Sequence, residues 1–182
     1  MTRNMLVLTV LIGGVIAVGV PQAQQGGGAN PLAATIRANW QAARLNIKES
    51  ADQMTADKYG YKPVPTVRNF GEILTHLAGA NYIFCAAAKG EKAPHAEDAF
   101  EKSVTARDQI IKVLAESLAY CDSAYTAATD ASLAQMVAQP FSTNQGPRAN
   151  ALIGNIGHLN EHYGNLVTYF RMNNMVPPSS KR

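Results

Sequence analysis

Apolar residues recur at spacings of four and three in four separate stretches, and prolines stand at the edges of these stretches. That period keeps one face of an α-helix turned toward a core; a strand, whose side chains alternate every second residue, cannot hold it. In the first stretch Leu32, Ile36, Trp40, Ala43 and Ile47 form one stripe running toward Met54. Asn30-Pro31 starts it, with Asn at the cap and Pro at the first helical position, where a missing N–H costs nothing. Pro63 and Pro65 then force extended backbone and end it. Thr66 is the expected cap of a second helix through Phe70, Ile73, Leu74, Leu77, Ala80 and Phe84 to Lys89. After a polar connection from Gly90 to Glu97, a third helix carries Phe100, Val104, Ile111, Leu114 and Leu118. Asp122 to Gly146 reads as irregular, with one short helix over Asp130–Val137. Pro147 opens a fourth long helix through Leu152, Ile156, Leu159, Tyr163, Leu166 and Phe170, and Pro177-Pro178 closes it. No strand-like alternation competes and no internal repeat is visible. The expected fold is all-α, a four-helix bundle.

Residues 1–23 read as a signal peptide. Arg3 gives the positive start, Met5 to Val20 is an uncharged apolar run, and Ala23 offers a small residue for cleavage. The run is short for a spanning helix, so export with cleavage is favoured over an uncleaved anchor. Residues 24–30, rich in Gln and Gly, form a tether with nothing to bury, and 31–180 form the bundle. The expected location is periplasmic or secreted, with no stable membrane span after cleavage. The net charge of +3 falls to about +2 without Arg3 and is spread evenly. No basic cluster supports nucleic-acid binding. The two cysteines, Cys85 and Cys121, would form one disulfide in an exported protein or two buried thiols in a reducing compartment.

Only four histidines occur, and His158 and His162 stand four apart in the last helix. Residues at i and i+4 share a face one turn apart. On a wheel of about 100° per residue His162 lies roughly 80–90° from the centre of that helix's apolar face, with His158 further round. His76 lies about 80° from the centre of the second helix's face. All three are thus at core edges, where a metal at the floor of a cleft would sit. A lone histidine there would be an ordinary boundary residue; the pair and a third helical histidine point to a facial three-nitrogen set with open coordination positions. His95 reads as a solvated loop residue. Glu161 falls almost opposite the apolar face and so points into water. Glu72, one turn before His76, is a candidate to orient an imidazole from behind, against a plain surface carboxylate. Asn155 could line the cleft. Gly154, Gly157 and Gly164 are costly inside a helix and could allow close packing or substrate approach.

The segment holding His76 after Tyr61-Lys62-Pro63, the run His158-Leu159-Asn160-Glu161-His162-Tyr163-Gly164-Asn165-Leu166-Val167-Thr168-Tyr169, and the tail from Arg171 to Ser180 together resemble the DinB-like (DinB/YfiT) superfamily of metal-binding four-helix bundles. The resemblance spans essentially all of Pro31 to Ser180. It implies an up-down-down-up bundle and a divalent metal, zinc, nickel or iron, held by His76, His158 and His162. Some members are transferases or isomerases using a low-molecular-weight thiol, a cytosolic chemistry at odds with export. The implied topology makes helices two and three parallel, with Cys85 and Cys121 near one end of the bundle, so a disulfide between them is expected.

The expected function is a metal-dependent hydrolase or transferase acting on a small molecule, the metal polarising an oxygen or thiol or acidifying water. Glu72 and Tyr163 are the nominees for an acid or base. A non-catalytic metal- or ligand-binding protein of the cell envelope is the alternative; an associating bundle with relic histidines is a third. A homodimer is the default assembly.

Overall fold

The structure, a computed structural model, describes residues 30–181. The expected signal peptide and most of the tether lie outside the described residues. Helices α1 (Pro31–Gln53), α2 (Phe70–Lys89) and α3 (Arg107–Ala127) are followed by a one-turn helix α4 (Asp130–Leu133). Strands β1 (Met136–Ala138) and β2 (Gln145–Pro147) then precede the last long helix, α5 (Arg148–Met172). The four long helices make the expected all-α bundle.

Contacts between helix ends give its topology. Cys85 and Cys121, both toward the C-terminal ends of α2 and α3, are joined by a disulfide with Cα atoms 5.3 Å apart. These two helices therefore run parallel. The Asn155 amide, from the first half of α5, reaches both sulfurs at 3.5 and 3.6 Å, so α5 runs against them. Trp40, in the first half of α1, stacks on Tyr125 near the end of α3 at 4.3 Å, while Gln53 at the end of α1 bonds to the Val176 carbonyl beyond α5. Helices α1 and α5 are thus parallel to each other, which completes up-down-down-up. Trp40, Phe70, Leu74, Leu77, Leu114, Leu118, Tyr125, Leu159, Leu166 and Phe170 meet in one core.

Helix α2 is not amphipathic in the way its spacing suggests: 15 of its 20 residues are buried. The connection after it covers the fourth side. Gly79 makes this possible, because a Cβ there would fall into the Glu97 carbonyl. His95 and Phe100 of the same connection pack at a tilt against Tyr82, with ring centroids 4.7 and 6.2 Å away.

Four boundaries differ from expectation. Asn69, not Thr66, caps α2. Its side chain accepts from the Glu72 N–H while the Glu72 carboxylate accepts from the Asn69 N–H, a reciprocal capping box. The third helix starts at Arg107 rather than near Phe100. Arg107 donates to the Asp52 and Met54 carbonyls at the end of α1, which fixes that start, and Phe100–Val104 are turns packed over α2. The same helix continues through Asp122 to Ala127, a stretch expected to be irregular. Asp130–Val137 splits into α4 and a strand: Val137 pairs with Gly146 in a two-stranded antiparallel hairpin. Three-residue strands are too short to show alternation in sequence. Among the described residues, no helix is long and apolar enough to cross a membrane.

Candidate metal centre

Helix α2 delivers His76 from its second turn, and α5 delivers His158 and His162 from adjacent turns of one face. One ring nitrogen from each lies within 4.8 Å of the other two. Among the described residues this is the sole grouping of three or more His, Cys, Asp or Glu side chains so disposed. His76 and His162 are buried and His158 is half-buried. The Nε2 atoms of His76 and His158 face each other at 3.1 Å.

Proton positions follow from the partners. Nδ1 of His76 lies 2.9 Å from Oε1 of Glu101. A carboxylate can only accept, so we assign a proton to that Nδ1, which leaves Nε2 with its lone pair toward His158. Arg68 grips the same carboxylate through Nε and Nη2, each at 3.1 Å. Burial works against the charged Glu101, but these bonds, the Arg68 charge and His76 outweigh it and hold its pKa below the usual range. His158 is driven the other way. Burial above all, then His162, His76 and Arg68, lower its pKa from the ordinary 6.5 to about 4. Burial first and His76 next also lower that of His162. The α5 rings are therefore neutral at neutral pH, the form in which imidazole binds metals. The Asn165 amide nitrogen lies 3.3 Å from His162 Nδ1 and packs against that ring.

The arrangement fits a divalent ion. With the proton of His76 tied to Glu101, a shared proton or a metal cation has to lie between the two facing Nε2 atoms. Two nitrogens each about 2.1 Å from one ion, at angles of roughly 90–110°, would sit about 3.0–3.4 Å apart. The observed 3.1 Å matches that spacing, as it does an N–H···N hydrogen bond between the two rings. Beside the trio, His162, Arg68, Glu101, Asn165, Thr168 and Tyr169 help line an open cavity of about 700 Å³.

Of the residues singled out from sequence, the three histidines come together and the rest do not join them. Glu72 is spent on the α2 cap, and Glu101 takes the orienting place expected of it. Asn155 is fully buried against the disulfide rather than lining the cleft. Glu161 is exposed, as expected. The Tyr163 hydroxyl accepts from the Ser179 N–H. His95 is exposed and away from the trio, but it packs on Tyr82 and Phe100 instead of standing free in solvent. Glu101, Arg68 and Asn165 escaped sequence reasoning. Asn165 alone carried a local signal, three residues after His162 on the same helix.

Fold and site define a helical bundle with a potential three-histidine metal centre between its second and last long helices. The chain belongs to the DinB superfamily, whose family model matches residues 39–166. A DinB-like protein from Bacillus cereus ATCC 10987 superposes with a TM-score of 0.66 at 17% identity, over 79% of this chain and 93% of that one. A conserved protein from Enterococcus faecalis gives 0.60 at 16%, over 77% and 95%. The mycothiol-dependent maleylpyruvate isomerase gives 0.59 at 14%, over 74% of this chain and 60% of that enzyme. At such identities the likeness is one of fold. No curated protein matches the chain.

Proposed function

We propose that this protein binds one divalent metal ion, zinc, nickel or iron, through His76, His158 and His162, and serves as an exported metal-dependent hydrolase or transferase for a small molecule. The facing Nε2 pair, with the His76 proton held by Glu101, carries this reading. An ion bound there would polarise a substrate oxygen or thiol, or acidify a water. The chain's own residues do the rest. Glu101 and Arg68 fix the tautomer and orientation of His76, Asn165 steadies the His162 ring, and the cavity admits the substrate beside them. The buried disulfide and the apolar N-terminal run support export to an oxidising compartment. The isomerase among the structural neighbours acts with a thiol cofactor by name; this exported chain would need another source of its nucleophile.

One observation favours a second reading, a non-catalytic metal- or ligand-binding protein of the envelope. Glu101 is held by Arg68 and His76 and Glu72 by the α2 cap, so neither carboxylate is free to move a proton. Elemental analysis of protein purified without a histidine tag tests the common core of both readings. We expect about one divalent ion per chain, as one three-histidine set holds. Metal-free protein whose melting ignores added zinc or nickel would leave only the association reading. Glu101→Gln, which keeps the shape but loses the charge behind His76, should weaken metal binding by roughly 10–100-fold in a chelator competition. An unchanged affinity would remove Glu101 from the centre.

A further inference from the structure

The metal centre has two flanks along the seam between α2 and α5, and the cavity accounts for only one. On the cavity side His162 is followed by Asn165, Thr168 and Tyr169. On the other side, one turn before His158, Gly154 meets the ring of Phe84. A Cβ at that position would come within 3.0 Å of Phe84 Cε1. The missing side chain is what lets Phe84 lie across α5 beside the centre. Its ring centroid is 5.7 Å from that of His158. A second ring continues the wall: Phe141, from the loop joining β1 to β2, stands edge-on to Phe84 at 5.3 Å.

Phe141 is an odd occupant for a loop tip. It is 59% exposed, and its backbone sits at φ 55°, in the left-handed region where a bulky residue is rare and strained. Gly or Asn would serve that turn at lower cost. Nearby, Gly157, the residue before His158, faces open space, with nothing within 4 Å of where a Cβ would be. An exposed aromatic held in a strained conformation against Phe84, beside a half-buried metal-ligand candidate and an unfilled strip of helix, provides an apolar surface where a ligand can lie.

We propose that Phe84 and Phe141 form an apolar subsite of the metal centre, which receives an aryl or alkyl group on a ligand whose polar head coordinates the ion beside His158. The proposal rests on the metal-binding reading above and adds the ligand's chemistry. A head small enough to reach the ion, carrying a flat apolar group, would lay that group against the outer face of the Phe84–Phe141 pair, over the open stretch of α5 at Gly157. The mixed lining of the opposite cavity would take the polar remainder.

The test uses two hydroxamates with the same metal-binding head, acetohydroxamate and benzohydroxamate, titrated calorimetrically into nickel-loaded protein whose metal content is measured alongside. Wild type should prefer the benzo compound, and Phe141→Ala should reduce that preference by about tenfold while leaving acetohydroxamate affinity unchanged. Phe141 is largely exposed, so this variant should fold. Phe84→Leu, which keeps apolar bulk but removes the ring, should reduce the preference as well. Metal-loaded protein whose preference is the same in wild type and both variants overturns the subsite and leaves the metal reading intact. A preparation that takes up no metal and binds neither compound overturns both.

Discussion

His158→Ala is expected to lower bound metal from about one ion per chain to background and to abolish the rise in melting temperature that zinc or nickel gives wild type. His76 and His162 would remain, but two nitrogens on separate helices do not make the facial set. The variant should also change how stability depends on pH. Burial chiefly, with His162, His76 and Arg68, lowers the His158 pKa from 6.5 to about 4 in the folded protein. Between those two values the unfolded chain takes up a proton that the folded chain refuses. The stabilising effect of a neutral His158 is therefore complete above pH 6.5 and is lost as pH falls toward 4. Removing the ring removes that loss. In metal-free protein, the stability difference between wild type and variant, measured by urea unfolding, should shift toward the variant from pH 7 to pH 5. Metal content unchanged by the substitution would defeat the three-histidine assignment.

Trp40→Ala should have the largest effect on the fold itself. Trp40 is fully buried, stacks on Tyr125 at 4.3 Å with the planes 8° apart, and donates its indole N–H to Asp122 at 2.8 Å. Asp122 also holds Arg44 at 3.1 Å. The substitution leaves a large cavity, strips Tyr125 of its stacking partner and leaves Asp122 with one bond fewer. Losses for buried aromatic residues cut to Ala run at about 3–5 kcal/mol, a large share of the roughly 5–15 kcal/mol that holds a domain together. Trp40→Phe, which keeps much of the packing and loses the hydrogen bond, should cost markedly less. Equilibrium denaturation of both variants measures the difference. A loss below about 1 kcal/mol for the Ala variant would mean that α1 is not fastened through this contact.

The sequence disclosed what repeats along a helix and hid what depends on contacts between distant segments. The stripe through Ile36, Trp40, Ala43 and Ile47 marked α1 because burial against one core imposes the helical period. The same logic placed the three histidines at core edges, where the bundle brings them together. The α2 cap was misplaced although the signal was there: Asn69 and Glu72 have capping-box spacing, which also explains why Glu72 cannot serve His76. Glu101 was a different case. It sits in turns that carry apolar residues at helical spacing, and Phe100 and Val104 extended the third helix's stripe although they pack over α2 instead. Nothing local tells that Glu101 folds back 25 residues to His76. The hairpin was hidden by length, since three residues cannot establish a period of two.

The Cys85–Cys121 bridge has a consequence beyond fastening two helices. It closes a covalent ring spanning a sequence separation of 36, and the segment bearing Glu97 and Glu101 lies within that ring. A carboxylate on a tethered loop stays close to its imidazole even while their hydrogen bond is broken. Its effective concentration is set by the loop's reach rather than by the bond's strength. In an oxidising compartment, the bridge that helps hold the bundle together would also keep the acid within reach of His76.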